Sequence, residues 1–229
     1  MRLLMQLLGL AMLPLAFAGA ARAESASGAL YSVAYVDVAS ASVPNGTALL
    51  RQYRDAVRKQ AGNERCEIGE EIGRPNRFVI LEVWKDQAAL DAHGKDATTV
   101  ALHDKLKAIE LGPVDERVHS AFAVGPNAAI AAKRAVFVVS HVDVPPPRKD
   151  DVIAILNPLA DASRKSDGNL RFEVVQQTSR PNHFHVIEVW KDSPAYGARS
   201  TSAAQKQFRE KLGPMLGALY DERLYRALD

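Results

Sequence analysis

The sequence predicts an α+β molecule: two copies of one βαββαβ unit whose antiparallel sheets pack on each other as an intrachain, pseudo-dimeric barrel. Three observations predict it. The phrase RPNRFVILEVWKD at 74–86 returns as RPNHFHVIEVWKD at 180–192. Laying 31–123 over 137–229 leaves about one third of the positions identical without a gap, a period too long for a solenoid unit and long enough for a complete small fold. The strand text FVILEVW has almost no polar alternation, so both of its faces need cover.

The elements follow in order. YSVAYVDV is β-branched and aromatic, hence a strand. After Asn45-Gly46, Leu49, Leu50, Tyr53 and Val57 fall at helical spacing, and Gly62 stops the helix. RCEIGEEI and RFVILEVW read as two strands joined by a turn at Arg74-Pro75-Asn76, because proline presets the first central turn position and asparagine tolerates the second. Asp86 and Asp192 suit helix N-caps, with Pro194 in the first turn of the second. One long helix follows, then the strand VDERVHSAF. This order is the ferredoxin-like split unit, with both helices on one face of a four-stranded sheet. The other face is most simply covered by the sibling sheet. The expected boundaries are a leader at 1–23, repeats at 31–123 and 137–229, and a linker at 124–136.

The leader is expected from Arg2, a following apolar run, and Ala21-Arg22-Ala23 as a small-x-small cleavage pattern. Its removal leaves 27 basic against 27 acidic residues, so the mature chain is neutral and carries no basic stripe for nucleic acid. A periplasmic or secreted chain without stable membrane insertion is expected. The single cysteine, Cys66, cannot form an internal disulfide, so a packed core must hold the fold. No glycine-rich phosphate loop and no nucleophile elbow occurs, which gives phosphotransfer and serine hydrolysis no support.

Glu82-Val83-Trp84-Lys85-Asp86, then Ala89 and His93, preceded by a Pro-Asn-x-Phe hairpin and a strand entered through glycine, resembles the antibiotic biosynthesis monooxygenase family and its quinol monooxygenase branch. The second copy reads Glu188, Trp190, Asp192, Ala195, with Arg199 at the histidine position. The resemblance covers both repeats. It implies paired ferredoxin-like units with a ligand cavity in each, between helices and sheet. It also implies oxygenation of quinols or polycyclic phenols by O2 with no cofactor, whereas relatives bind haem or have no known reaction.

Such chemistry makes the substrate the reductant, so the protein must supply a base near working pH, a dry pocket, and donors for the developing anion. His93 is the candidate base: Ala89, His93, Ala97, Val100 and Leu106 form one stripe, and an imidazole titrates near pH 6.5. Trp84 and Trp190 offer flat walls with an N–H, and Tyr35 a phenolic donor. Glu82 and Glu188 are acids inside apolar strands and need partners, for which Arg65, Arg117, Arg171 and Arg223 are available. Arg199 stays protonated and cannot be an ordinary base, so one competent and one altered pocket are expected. His183 and His185 point to one face with His141 near them, but no cysteine or acid stands at a recognised ligand spacing, and no metal is expected. Asp115-Glu116-Arg117, repeated at 221–223, reads as a charged strand entry. Two functions stay open: a quinol-type monooxygenase, and a non-catalytic barrel that holds a quinone, haem or another flat apolar molecule.

Overall fold

The computed structural model describes residues 28–127, 130 and 132–228. The leader expected at 1–23 lies outside them. Among the described residues no helix is long and apolar enough to cross a membrane.

The first repeat runs β1 (Leu30–Asp37), α1 (Val43–Val57), β2 (Asn63–Glu71), β3 (Arg77–Trp84), α2 (Gln87–Lys95), α3 (Ala97–Lys107) and β4 (Asp115–Ala123). The second runs β5 (Val136–Asp143), α4 (Lys149–Arg164), β6 (Asn169–Gln177), β7 (His183–Trp190), α5 (Ser193–Ser200), α6 (Ala203–Leu212) and β8 (Asp221–Ala227). Each repeat orders its strands 4-1-3-2, and the two sheets join edge to edge into one closed eight-stranded ring, β1-β3-β2-β8-β5-β7-β6-β4. Closure removes the exposed strand edges that an open sheet would have to protect. The seams are β4 with β6, and β2 with β8, the latter through three register pairs from Gly69↔Ala227 to Glu71↔Tyr225.

Strand alternation then sorts every side chain between lumen and helices. Tyr31, Val33, Val79, Leu81, Val83, Phe137, Val139, Val175, Ile187, Val189 and Tyr225 fill the lumen. The alternate residues pack beneath the helices: in the first repeat Ala34, Val36, Phe78, Ile80 and Trp84 share a cluster with Leu50 and Tyr53 of α1. Hence every residue of β7 is buried, as the lack of alternation requires. Gly62 adopts φ +82°, and a Cβ there would stand 2.5 Å from that of Ala89; Gly168 and Ala195 repeat the relation at 2.7 Å. The recurring Gly-Asn and Asp-x-x-Ala phrases are therefore the two sides of one close approach.

Across the lumen four charges interlock. Arg65 donates to both oxygens of Glu173 at 3.0 and 2.7 Å, and its equivalent Arg171 grips Glu67, the equivalent of Glu173. All four are nearly or fully shielded from solvent. The pairing is crossed, so each repeat's arginine is neutralised by the other repeat's acid.

The structure corrects the single long helix. Asp96 breaks it, accepting from Thr98 and Thr99 N–H as the N-cap of α3, and Ser202 caps α6 in the same way. The break rephases the helix: Thr99, Leu102 and Leu106 face inward, while Ala97 and Val100 of the expected stripe are exposed. Asn45-Gly46 likewise lies inside α1 rather than before it, and Gly46 is seated against Val38. The caps at Asp86 and Asp192 and the turn closed by Arg77 N–H to Arg74 O are as expected.

Candidate active site

In the first repeat, β3 brings Glu82 and Trp84 to the helix side, where α1 contributes Tyr53 and α2 contributes His93. Tyr53 Oη lies 2.9 Å from Glu82 Oε1 and 3.1 Å from His93 Nε2. Trp84 Nε1 donates to Glu82 Oε2 at 2.9 Å, and its ring lies 4.5 Å from the imidazole. Behind the histidine, Nδ1 lies 2.7 Å from Gln60 Oε1, and the Gln60 amide nitrogen donates to Thr99 Oγ1 at 3.0 Å.

This geometry assigns the protons. Gln60 Oε1 can only accept, so His93 carries its hydrogen on Nδ1 and presents a lone pair at Nε2. Burial pushes the Glu82 carboxyl up to about 7 and holds His93 below the usual imidazole value. When Glu82 is ionised, Tyr53 donates to it and His93 Nε2 has no donor. When Glu82 is protonated it donates to Tyr53, whose own hydrogen turns to His93. One proton therefore switches the direction of the whole relay near neutral pH.

Glu82, Tyr53, Ser32, His103 and Glu116 line a small cavity with Ala34, Val36, Ile80, Leu106 and Val114, with room for about one water. His93 is not on its wall; Tyr53 stands between. His103 stacks on the Tyr53 ring at 5.6 Å and belongs to α3, which covers the cavity.

The second repeat dismantles this arrangement. Arg199 takes the His93 position and binds Glu188 with two nitrogens and Glu222 with a third, while Trp190 keeps its bond to Glu188 at 2.9 Å. Leu159 replaces Tyr53 and Ser166 replaces Gln60. Tyr220 replaces Val114, and its hydroxyl donates to Glu222 at 3.0 Å. In the second repeat the two carboxylates equivalent to cavity-lining Glu82 and Glu116 are thus bridged by a guanidinium that they hold charged.

Several expectations change. Arg65 and Arg171 do not partner Glu82 and Glu188, because they point into the lumen, and Arg117 and Arg223 bind Asp115 and Asp221 on their own strands. Tyr35 also points into the lumen and bonds His185 Nε2 at 3.1 Å, on the opposite face of the sheet from Trp84, Glu82 and His93. Of the implied cavities, the one between helices and sheet in the first unit is small, whereas in the second unit Trp190 and Arg199 line a more open cavity of about 440 Å³ with Ser166, Lys191, Pro194 and Ala198. Trp190 and Arg199 do meet, as an ion-paired core. Sequence reading missed Tyr53, Gln60 and Thr99 as parts of the site. Each differs between the repeats, but so do about two thirds of the aligned positions, so the difference alone does not single them out.

A family model described as antibiotic biosynthesis monooxygenase matches residues 29–105 and 135–211. The chain belongs to the antibiotic biosynthesis monooxygenase family. Both matches in this family take in the glutamate, the tryptophan and the His93/Arg199 position, and both stop before the last strand of their repeat. A Bacillus subtilis (strain 168) protein named "Putative monooxygenase YcnE" is 36% identical over 58 residues, which is 25% of this chain and 61% of that relative. The chain therefore spans less than two thirds of that relative's length. Among solved structures, a "Putative monooxygenase" from Fusobacterium nucleatum superposes with TM-score 0.79 at 14% identity, covering 88% of this chain and 93% of its own. An "anthrone oxidase-like protein" superposes with TM-score 0.69 at 12% identity, covering 89% and 93%. At these identities the likeness speaks for the fold of this family member alone.

Proposed function

We propose that the first repeat oxygenates a small electron-rich phenol of the quinol class with O2, and that the second repeat is its structural counterpart. The observation that carries this reading is the buried relay Glu82–Tyr53–His93, a proton acceptor tuned to neutral pH at the end of a cavity. Removing a phenolic proton makes the ring a far better electron donor. A quinol can then supply all four electrons that O2 requires, one oxygen atom entering the ring and the other leaving as water. Glu82, through Tyr53, is the group that meets the substrate proton, and His93 takes it further from the cavity. Trp84 fixes the orientation of the carboxylate. Admission of a ring displaces His103 and Leu106, which places the entry step in α3, beyond the break at Asp96. The leader expected at 1–23 supports a place for this activity in the periplasm or the exterior.

The test is oxygen uptake by the full chain with a panel of quinols and naphthols, with chelator and without flavin, for the native protein, Glu82→Gln and His93→Ala. Uptake lost in both variants supports the reading. Equal background uptake in all three ends it. The tight first cavity and the more open one beside Trp190 and Arg199 favour a second reading, a barrel that binds without catalysis; saturable binding of a quinone with no turnover is its signature.

A further inference from the structure

Four of the six histidines in the chain, His119, His141, His183 and His185, gather on the lumen side of one barrel mouth, away from the relay. They form two hydrogen-bonded sets, and only one is closed. The carbonyl of Tyr31 can only accept, so His119 donates to it from Nδ1 at 3.3 Å and leaves Nε2 to accept from His185 Nδ1 at 2.8 Å. His185 Nε2 then accepts from Tyr35 Oη at 3.1 Å. Every ring nitrogen of that set is used.

The second set ends differently. His183 Nε2 lies within ion-pair distance of Asp143 Oδ1, at 3.2 Å, and a hydrogen on Nε2, the side of the carboxylate, leaves a lone pair on Nδ1. That lone pair faces His141 Nε2 at 3.3 Å, a long hydrogen bond of the same length as that from His119 to Tyr31. Two nitrogens bound to one tetrahedral zinc ion, at about 2.0–2.1 Å each, stand about 3.3 Å apart.

We propose that His141 Nε2 and His183 Nδ1 form a two-histidine site for a tetrahedral, zinc-class divalent cation, with Asp143 orienting His183 from behind. A carboxylate on the far nitrogen of a ligating imidazole fixes its tautomer and raises its basicity. His141 also lines a mouth cavity of about 340 Å³, bounded by Tyr35, Arg117, Asp221 and Arg223, so the two remaining coordination positions open on solvent and small ligands. Burial holds both imidazoles below the usual value, His141 at about 4, so the lone pairs are free at neutral pH. Arg117 and Arg180 oppose a cation there, while Asp143 and Asp221 favour it. Among the described residues no three histidine, cysteine or acidic side chains are grouped to hold an ion, so the site binds more weakly than a four-ligand structural one.

The test is calorimetric titration of the full chain with zinc chloride at pH 7.5 in a non-coordinating buffer. One equivalent is expected for the native protein and for His103→Ala. Binding is lost in His141→Ala and His183→Ala, and Asp143→Asn weakens it about 10- to 100-fold. Near-UV circular dichroism checks the fold of each variant; should His183→Ala not fold, His141→Gln and Asp143→Asn carry the test. Absence of saturable binding by the native chain, or an isotherm unchanged in folded His141 and Asp143 variants, overturns the proposal. The site lies on the other face of the sheet from Glu82, so neither outcome depends on oxygenase activity.

Discussion

Gln60 Oε1 lies 2.7 Å from His93 Nδ1, on the side of the ring away from Tyr53, and so chooses which nitrogen of the imidazole faces the relay. Nitrogen-15 NMR of the native chain at pH 8 should report His93 as the Nδ1–H tautomer. In Gln60→Ala, where Nδ1 keeps only the longer contact to Thr99 Oγ1 at 3.4 Å, both tautomers should appear, and the weakened pairing should cost about 1 kcal/mol by denaturant unfolding. An unchanged tautomer signature would remove Gln60 from this role.

Glu82 gives the chain a pH dependence of definite sign. Its carboxyl binds a proton more tightly folded, at about 7, than unfolded, at 4.5. This contribution is therefore full below pH 4.5 and is lost as pH rises through 7. Glu82→Gln should recover stability relative to the native chain between pH 5 and pH 8, by at most about 3 kcal/mol, as read from paired thermal melts.

His119 works the other way. Burial lowers it to about 4 from 6.5, so the unfolded chain binds the extra proton first and stability falls as pH drops from 6.5 toward 4. With chelator present, the acid limb of the stability curve should flatten in His119→Gln, by about 3 kcal/mol at most at pH 4.

Much of the fold was legible because it rests on repetition and on close packing. Gly62 against Ala89, the caps at Asp86 and Asp192, and the two-sided burial of β3 and β7 all leave single-residue marks. The partners of Glu82 were not legible. Tyr53 meets it from a helix 29 residues earlier, and nothing in the local pattern distinguishes that tyrosine from any other core aromatic. Arg65 looked like a partner because it stands on the neighbouring strand, yet its parity on β2 turns it to the lumen, whereas Cys66 faces Glu82. The helix break was missed because Asp96 reads equally well as a solvent-facing helical residue.

The crossed quartet predicts an asymmetry between single and double replacements. Arg65→Met leaves Glu173 with only the Arg171 Nε at 3.5 Å, and should cost about 3–5 kcal/mol in urea unfolding. Adding Glu173→Met should return part of that loss, since a matched apolar pair strands no charge. Two equal and additive losses would show that the crossing carries no coupling.

Arg199→His should not rebuild a second site. It leaves Glu188 with only the Trp190 N–H, although Glu222 keeps Arg209, and Leu159 and Ser166 offer no hydroxyl relay and no amide clamp. Loss of about 3–5 kcal/mol with no added oxygen uptake is expected, measured by unfolding and by electrode.

The ring of strands has one more consequence. In a barrel assembled from two identical chains, any substitution is installed on both sides at once, so a residue that helps one pocket and harms the other can never be tried alone. Here the two halves share a single backbone, and His93 and Arg199 are separately written. Division of labour between a reactive half and a scaffold half is a freedom that comes from that tether.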